Sequence, residues 1–141
     1  MKVMMISTFP PRRCGIGDYT AGYASELVRT RGAVDLRILT YRDGLPPGVA
    51  AADGFEIERD LTRKVSTERL TALVGSYRPD VVHLQSSTFL HHRSLNKSVA
   101  NACKVPLVTT VHDLPRSWRV FYTIPSLRRV DSRSSVLISH A

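Results

Sequence analysis

This chain of 141 residues has few or none of the features that mark particular classes of protein. No apolar run approaches the roughly 20 residues of a membrane-spanning helix. The apolar run after Lys2 is cut short at Pro10, so no secretory signal is predicted. The two cysteines, Cys14 and Cys103, are far apart and lack metal-ligand spacing. Reduced thiols and a cytoplasmic location are therefore expected.

Aromatic residues are few at 7%, and 12 acidic residues face 20 basic ones, which gives a net charge of +8. This charge favours anionic partners such as phosphates, nucleic acid or an acidic membrane surface. Nucleic-acid binding requires basic side chains interleaved with aromatics on one face, and this pattern is missing. No nucleic-acid partner is predicted. A solvated basic surface and a peripheral contact with the anionic inner face of a membrane both remain open.

What the sequence does contain is an alternation of strand and helix patterns. Strands are predicted at residues 2–7, 34–41, 55–57, 80–85, 105–111 and 135–138. Helical patterns begin with Asp18 as N-cap, at Ser66 and at Leu95. Residues 42–53 are predicted to be a loop, and residues 118–130 are ambiguous because Pro125 interrupts any helix there. The alternation predicts an α/β fold: a Rossmann-like, doubly wound parallel sheet in three α/β/α layers.

Ligands of such sheets bind at the carboxyl ends of strands, where the strand order reverses. The first segment there is the glycine loop, residues 10–20. Gly15 and Gly17 allow close approach of the backbone to a ligand, and the helix that follows favours an anion. A tight turn that needs glycine for its geometry alone is the other interpretation. Thr20 occupies the third glycine position of a dinucleotide fingerprint, so no nicotinamide or flavin cofactor is predicted.

Two further segments end later strands. Gln85 is placed to meet a polar ligand, whereas His83, inside the strand, is predicted to be packed and hydrogen-bonded. His112 projects into the crevice and can donate to a sugar hydroxyl or a phosphate oxygen. Asp113 orients His112 or caps the next turn. The adjacent histidines at 91 and 92 point opposite ways in an extended stretch, so no metal site is predicted.

Residues 1–20, 78–85 and 105–113 together resemble the N-terminal domain of retaining, group-1 (family 4-like) glycosyltransferases with the GT-B fold. The resemblance covers nearly the whole chain. It implies that residues 1–141 form the acceptor-side half of a GT-B enzyme, and that a second, nucleotide-sugar domain lies outside them. It implies that His112 hydrogen-bonds the transferred sugar. It also implies that the enzyme needs no metal or other cofactor. The implied substrate-binding residues are Gly15, Ile16, Gly17, Asp18, Tyr19, Gln85 and Asp113.

The function implied by the resemblance is transfer of a sugar from a nucleotide-sugar donor to the hydroxyl of a carbohydrate or lipid-linked acceptor, with retention. Residues 1–141 are expected to be inactive by themselves. The alternative is a stand-alone Rossmann-like module that binds a phosphate or a nucleotide without catalysis.

Overall fold

The computed structural model describes residues 1–30, 32–87, 93–112, 130 and 132–139. The strands in these ranges are β1 (Lys2–Ile6), β2 (Asp35–Tyr41), β3 (Gly48–Ala52), β4 (Phe55–Leu61), β5 (Val81–Ser86), β6 (Leu107–Val111) and β7 (Val136–Ser139). The helices are α1 (Gly15–Thr30), α2 (Thr67–Tyr77) and α3 (Arg93–Ala102). The histidines at 91 and 92 and Asp113 lie outside the described residues, as does the ambiguous stretch 118–130 except for Val130.

The strands form one sheet in the order β3-β4-β2-β1-β5-β6-β7. All neighbouring pairs are parallel except β3 and β4. The chain therefore winds outward from β1 through β2 to the edge hairpin of β3 and β4. It then returns to β5 beside β1 and winds outward again through β6 to β7. This confirms the predicted doubly wound, Rossmann-like α/β fold, and its strand order reverses between β1 and β5.

Helices cover both faces of the sheet. Successive side chains of a strand point to opposite sides, so the buried strands present apolar side chains to the helices on each face. Met4 and Ile6 of β1 pack with the apolar residues of α2 and α3. Val3 and Met5 pack instead with the apolar face of α1, around Ala24. The three α/β/α layers follow from this alternation.

The prediction of a loop at residues 42–53 is wrong, because β3 lies within it and pairs antiparallel with β4. The pair Ala52–Phe55 closes the ladder around a two-residue turn at Asp53 and Gly54, whose φ is 86°. Small side chains give β3 little strand propensity. The hairpin turn and one-sided pairing with β4 hold it as an edge strand, and the Asp-Gly pair was the available signal.

The start of α2 agrees with the prediction at Ser66. Its hydroxyl accepts a hydrogen bond from the Arg69 amide at 3.1 Å and so caps the helix. The helix ends at Tyr77, and its C-cap Arg78 adopts a left-handed conformation with φ of 53° just before Pro79.

Candidate functional site

The glycine loop and His112 lie at the carboxyl edge of the sheet, around the reversal between β1 and β5. The loop follows β1 directly, and His112 follows β6. The backbone amide of His112 donates to the Ser86 carbonyl at 3.0 Å, which fixes the first residue after β6 against the end of β5. The segments selected from the sequence therefore share one edge of the sheet.

The helix of the glycine loop begins earlier than predicted, so the assignment of Asp18 as its N-cap is wrong. Cys14 takes that role, since its Sγ accepts a hydrogen bond from the Gly17 amide at 3.3 Å. The Asp18 amide donates to the Cys14 carbonyl at 3.1 Å, as the first full helical bond. Asp18 instead lies exposed in the first turn, where the helix dipole favours its carboxylate. A cysteine cap was missed because oxygen side chains dominate this position.

The two glycines of the loop differ in what surrounds them. A Cβ on Gly17 would lie 3.3 Å from Cys14 Sγ and 3.4 Å from the Arg12 carbonyl oxygen. Packing of the turn therefore accounts for Gly17 by itself. A Cβ on Gly15 would meet no described residue within 4 Å, and Gly15 is exposed. Ile16 between them is buried.

Side chains from the neighbouring strands brace this loop. The Arg12 guanidinium donates to Asp43 at 2.5 and 3.0 Å and lies 4.8 Å from the centre of the Tyr41 ring. Arg59 donates to the Pro10 carbonyl at 2.6 Å. The hydrogen bonds that Arg12 donates to Asp43 raise the pKa of Arg12. Arg12 is thus held in the loop by Asp43 and by the Tyr41 ring.

The structure brings three of the candidate residues into contact: His112, Gln85 and Tyr19. His112 Nε2 lies 2.6 Å from Gln85 Oε1. The Tyr19 ring, 38% exposed on the first turns of α1, meets the His112 ring edge to face at 4.8 Å. Gln85 is fully buried beneath them. Gln85 and His112 therefore supply polar groups, and Tyr19 supplies an aromatic ring, where the strand order reverses.

Beneath this group lies His83, which is 7% exposed and hydrogen-bonded to the Thr110 hydroxyl at 2.9 Å. This confirms the prediction that His83 is packed and hydrogen-bonded. Burial, with a smaller contribution from the charge of His112, lowers the pKa of His83 to about 4. His83 is therefore neutral near pH 7.

Tyr23 belongs to the same group and was missed from the sequence. Its ring meets His83 edge to face at 5.8 Å and stacks parallel to Tyr19 at 6.0 Å. The spacing of four residues from Tyr19 on a helix was the available signal, because such residues share a helix face.

The chemistry of these groups suits a ligand rich in hydroxyls. The site offers imidazole, amide and phenol groups, with the positive end of α1 nearby for an anion. Within the described ranges, no group of three or more His, Cys, Asp or Glu side chains could hold a metal ion. In the same ranges, no helix combines the length and the apolar character required to cross a membrane.

Comparison with known proteins gives one family match. The sequence model of the glycosyl transferase 4-like domain matches residues 14–139. No curated protein sequence matches the chain. Among solved structures, a response regulator CheY-like protein from Mesorhizobium loti has a TM-score of 0.47 and 16% identity, covering 98% of this chain and 84% of that chain. A likeness this distant carries no argument about function.

Proposed function

This chain belongs to the glycosyl transferase 4-like domain family, and on that premise we propose that it is one half of a retaining glycosyltransferase of the GT-B type. In this proposal a second Rossmann-like domain faces the carboxyl edge of the sheet. The two domains together bind a nucleotide-sugar donor and an acceptor hydroxyl.

The observation that carries the proposal is the convergence of the glycine loop, Tyr19 and His112 at the strand reversal. The exposed Gly15 leaves the start of α1 open to a ligand. His112 and Gln85 are joined at 2.6 Å on the opposite side of the reversal. A diphosphate near α1 and a sugar near His112 would use both halves of this edge.

The proposed mechanism follows from these positions. The acceptor oxygen forms a bond to the anomeric carbon on the same face on which the bond to the nucleoside diphosphate breaks, and the proton of the hydroxyl passes to the departing phosphate oxygen. The positive end of α1 stabilises the departing charge, and His112 holds a sugar hydroxyl. Asp18 and Tyr19 line the acceptor side. The net charge of +8 supports an acceptor, carbohydrate or lipid-linked, whose surroundings include anionic headgroups.

Calorimetry with a panel of nucleotide diphosphate sugars and free nucleotides tests the proposal. Residues 1–141 and the longest translation product of the gene are titrated in parallel. We expect tight binding by the longer form and weak binding by residues 1–141. Tight binding of a nucleotide or a dinucleotide by residues 1–141 would contradict the proposal and favour a stand-alone binding module.

A matched pair of variants locates the ligand. His112→Ala removes a proposed sugar contact, so we expect about tenfold weaker binding of the nucleotide sugar and unchanged binding of the free nucleotide. Val49→Ala, on the exposed edge strand β3, is the control and should bind like the wild type. Equal binding by all three proteins would place the sugar elsewhere.

A further inference from the structure

Two histidines of the site are joined through one amide. Gln85 Oε1 lies 2.6 Å from His112 Nε2, and Gln85 Nε2 lies 3.3 Å from His83 Nε2. The Thr110 hydroxyl lies 2.9 Å from the same nitrogen of His83. The pairing of Gln85 with Thr110 across β5 and β6 places all these side chains on the α1 face of the sheet.

The two ends of an amide have opposite hydrogen-bonding roles. The oxygen of Gln85 only accepts, so His112 Nε2 must carry a proton. The nitrogen of Gln85 only donates, so it pairs with His83 Nε2 when that atom offers its lone pair and the proton of His83 is on Nδ1. The Thr110 hydroxyl, 2.9 Å away, then donates to the same nitrogen. If the proton of His83 moved to Nε2, the amide would have to turn over, and His112 would then face a donor.

We propose that His83 is a positioning residue: it orients the Gln85 amide and thereby holds neutral His112 as its Nε2–H tautomer. This inference rests on the proposed function, in which His112 contacts the sugar. The neutral ring then carries its lone pair on Nδ1, so His112 recognises a hydroxyl that donates a hydrogen bond. A phosphate oxygen, which only accepts, is disfavoured at that nitrogen.

The surroundings of His83 support this role. Burial keeps the ring neutral, because the pKa of His83 is lowered to about 4. The Tyr23 ring on α1 packs edge to face against the His83 ring, with the two ring centres 5.8 Å apart. Met5 Sδ, at 3.9 Å from Gln85 Nε2, is a weak second acceptor for the amide. His83 Nε2, at 3.3 Å, is a stronger acceptor for the amide nitrogen than Met5 Sδ.

Long-range ¹H–¹⁵N correlation spectra of the imidazole rings test the proposal above neutral pH. In the wild type we expect His112 as Nε2–H and His83 as Nδ1–H. His83→Leu removes the acceptor, so the signals of His112 should move towards a mixture of tautomers. His83→Gln restores an acceptor oxygen near the position of Nε2 and should return His112 to Nε2–H.

Gln85→Met is a second variant, which removes the amide in case His83→Leu does not fold. It should also release the tautomer of His112, and circular dichroism checks the fold of each protein. A wild-type His112 found as Nδ1–H, or a His112 that stays Nε2–H in every folded variant, would overturn the proposal. The spectra do not depend on sugar transfer, so a failure of the proposed function would show separately in the calorimetry.

Discussion

The buried, neutral His83 should make the protein lose stability in mild acid. Its folded-state pKa is about 4, against an ordinary value of 6.5, chiefly because burial disfavours the charged ring. Between these two values the unfolded chain binds a proton that the folded protein does not. Stability therefore rises with pH across this window and falls as the pH drops from about 6.5 to about 4.

The size of the loss follows from the difference between the two pKa values. A difference of one pKa unit corresponds to about 1.4 kcal/mol, so His83 should remove about 3 kcal/mol from the free energy of unfolding by pH 4. Burial opposes ionisation of Asp60, but the hydrogen bonds from Arg42 and Arg69 outweigh it and lower the pKa of Asp60 below its ordinary value of 3.8. The stability that this carboxylate contributes is lost mainly below pH 4, so most of the His83 window lies above it.

Urea unfolding at a series of pH values from 7 to 4 measures this loss. His83→Gln does not titrate and keeps an acceptor, so it is the matched comparison that cancels the other histidines. We expect the stability of the variant to fall about 3 kcal/mol less than that of the wild type over the window. Parallel curves for the two proteins would refute the claim that His83 is buried in its neutral form.

Three further predictions use the same unfolding measurement. Gly17→Ala should cost about 1 to 2 kcal/mol more than Gly15→Ala, because only the Cβ at Gly17 crowds its neighbours; equal effects would contradict this. Ser66→Ala should cost about 1 kcal/mol and Ser66→Asp much less, because only Asp keeps the cap; two equal losses would exclude capping. Leu84→Ala should cost about 2 to 5 kcal/mol, against at most about 0.5 for exposed Val49→Ala; similar costs would contradict the packing described.

The sheet could be predicted from the sequence because its buried strands are short apolar runs between helical patterns. Burial on both faces makes such runs easy to recognise, as in residues 80–85, which form most of β5. The edge strand β3 was not predicted, because its residues are small and its place in the sheet depends on the hairpin with β4. The N-cap of α1 was misplaced by four residues, at Asp18 instead of Cys14, since a cysteine at the cap gives no usual signal.

The meeting of the glycine loop with His112 followed from a general rule about where strands end. The contacts below them did not follow. The bridge from His83 through Gln85 to His112 depends on the register that sets Gln85 opposite Thr110. It also depends on the side-chain rotamers, and neither is encoded in local sequence patterns. Tyr23 joins the site because it shares a face of α1 with Tyr19 and packs against His83.

The most direct test of the proposed function is a sugar-transfer assay on the longest translation product of the gene. A panel of nucleotide diphosphate sugars is offered with carbohydrate and lipid-linked acceptors. Release of nucleoside diphosphate and the anomeric configuration of the product are followed for the wild type and for His112→Ala. We predict transfer with retained configuration by the wild type, and a much lower kcat in the variant. Transfer with inverted configuration, no release with any donor, or an unchanged rate in His112→Ala would contradict the proposal.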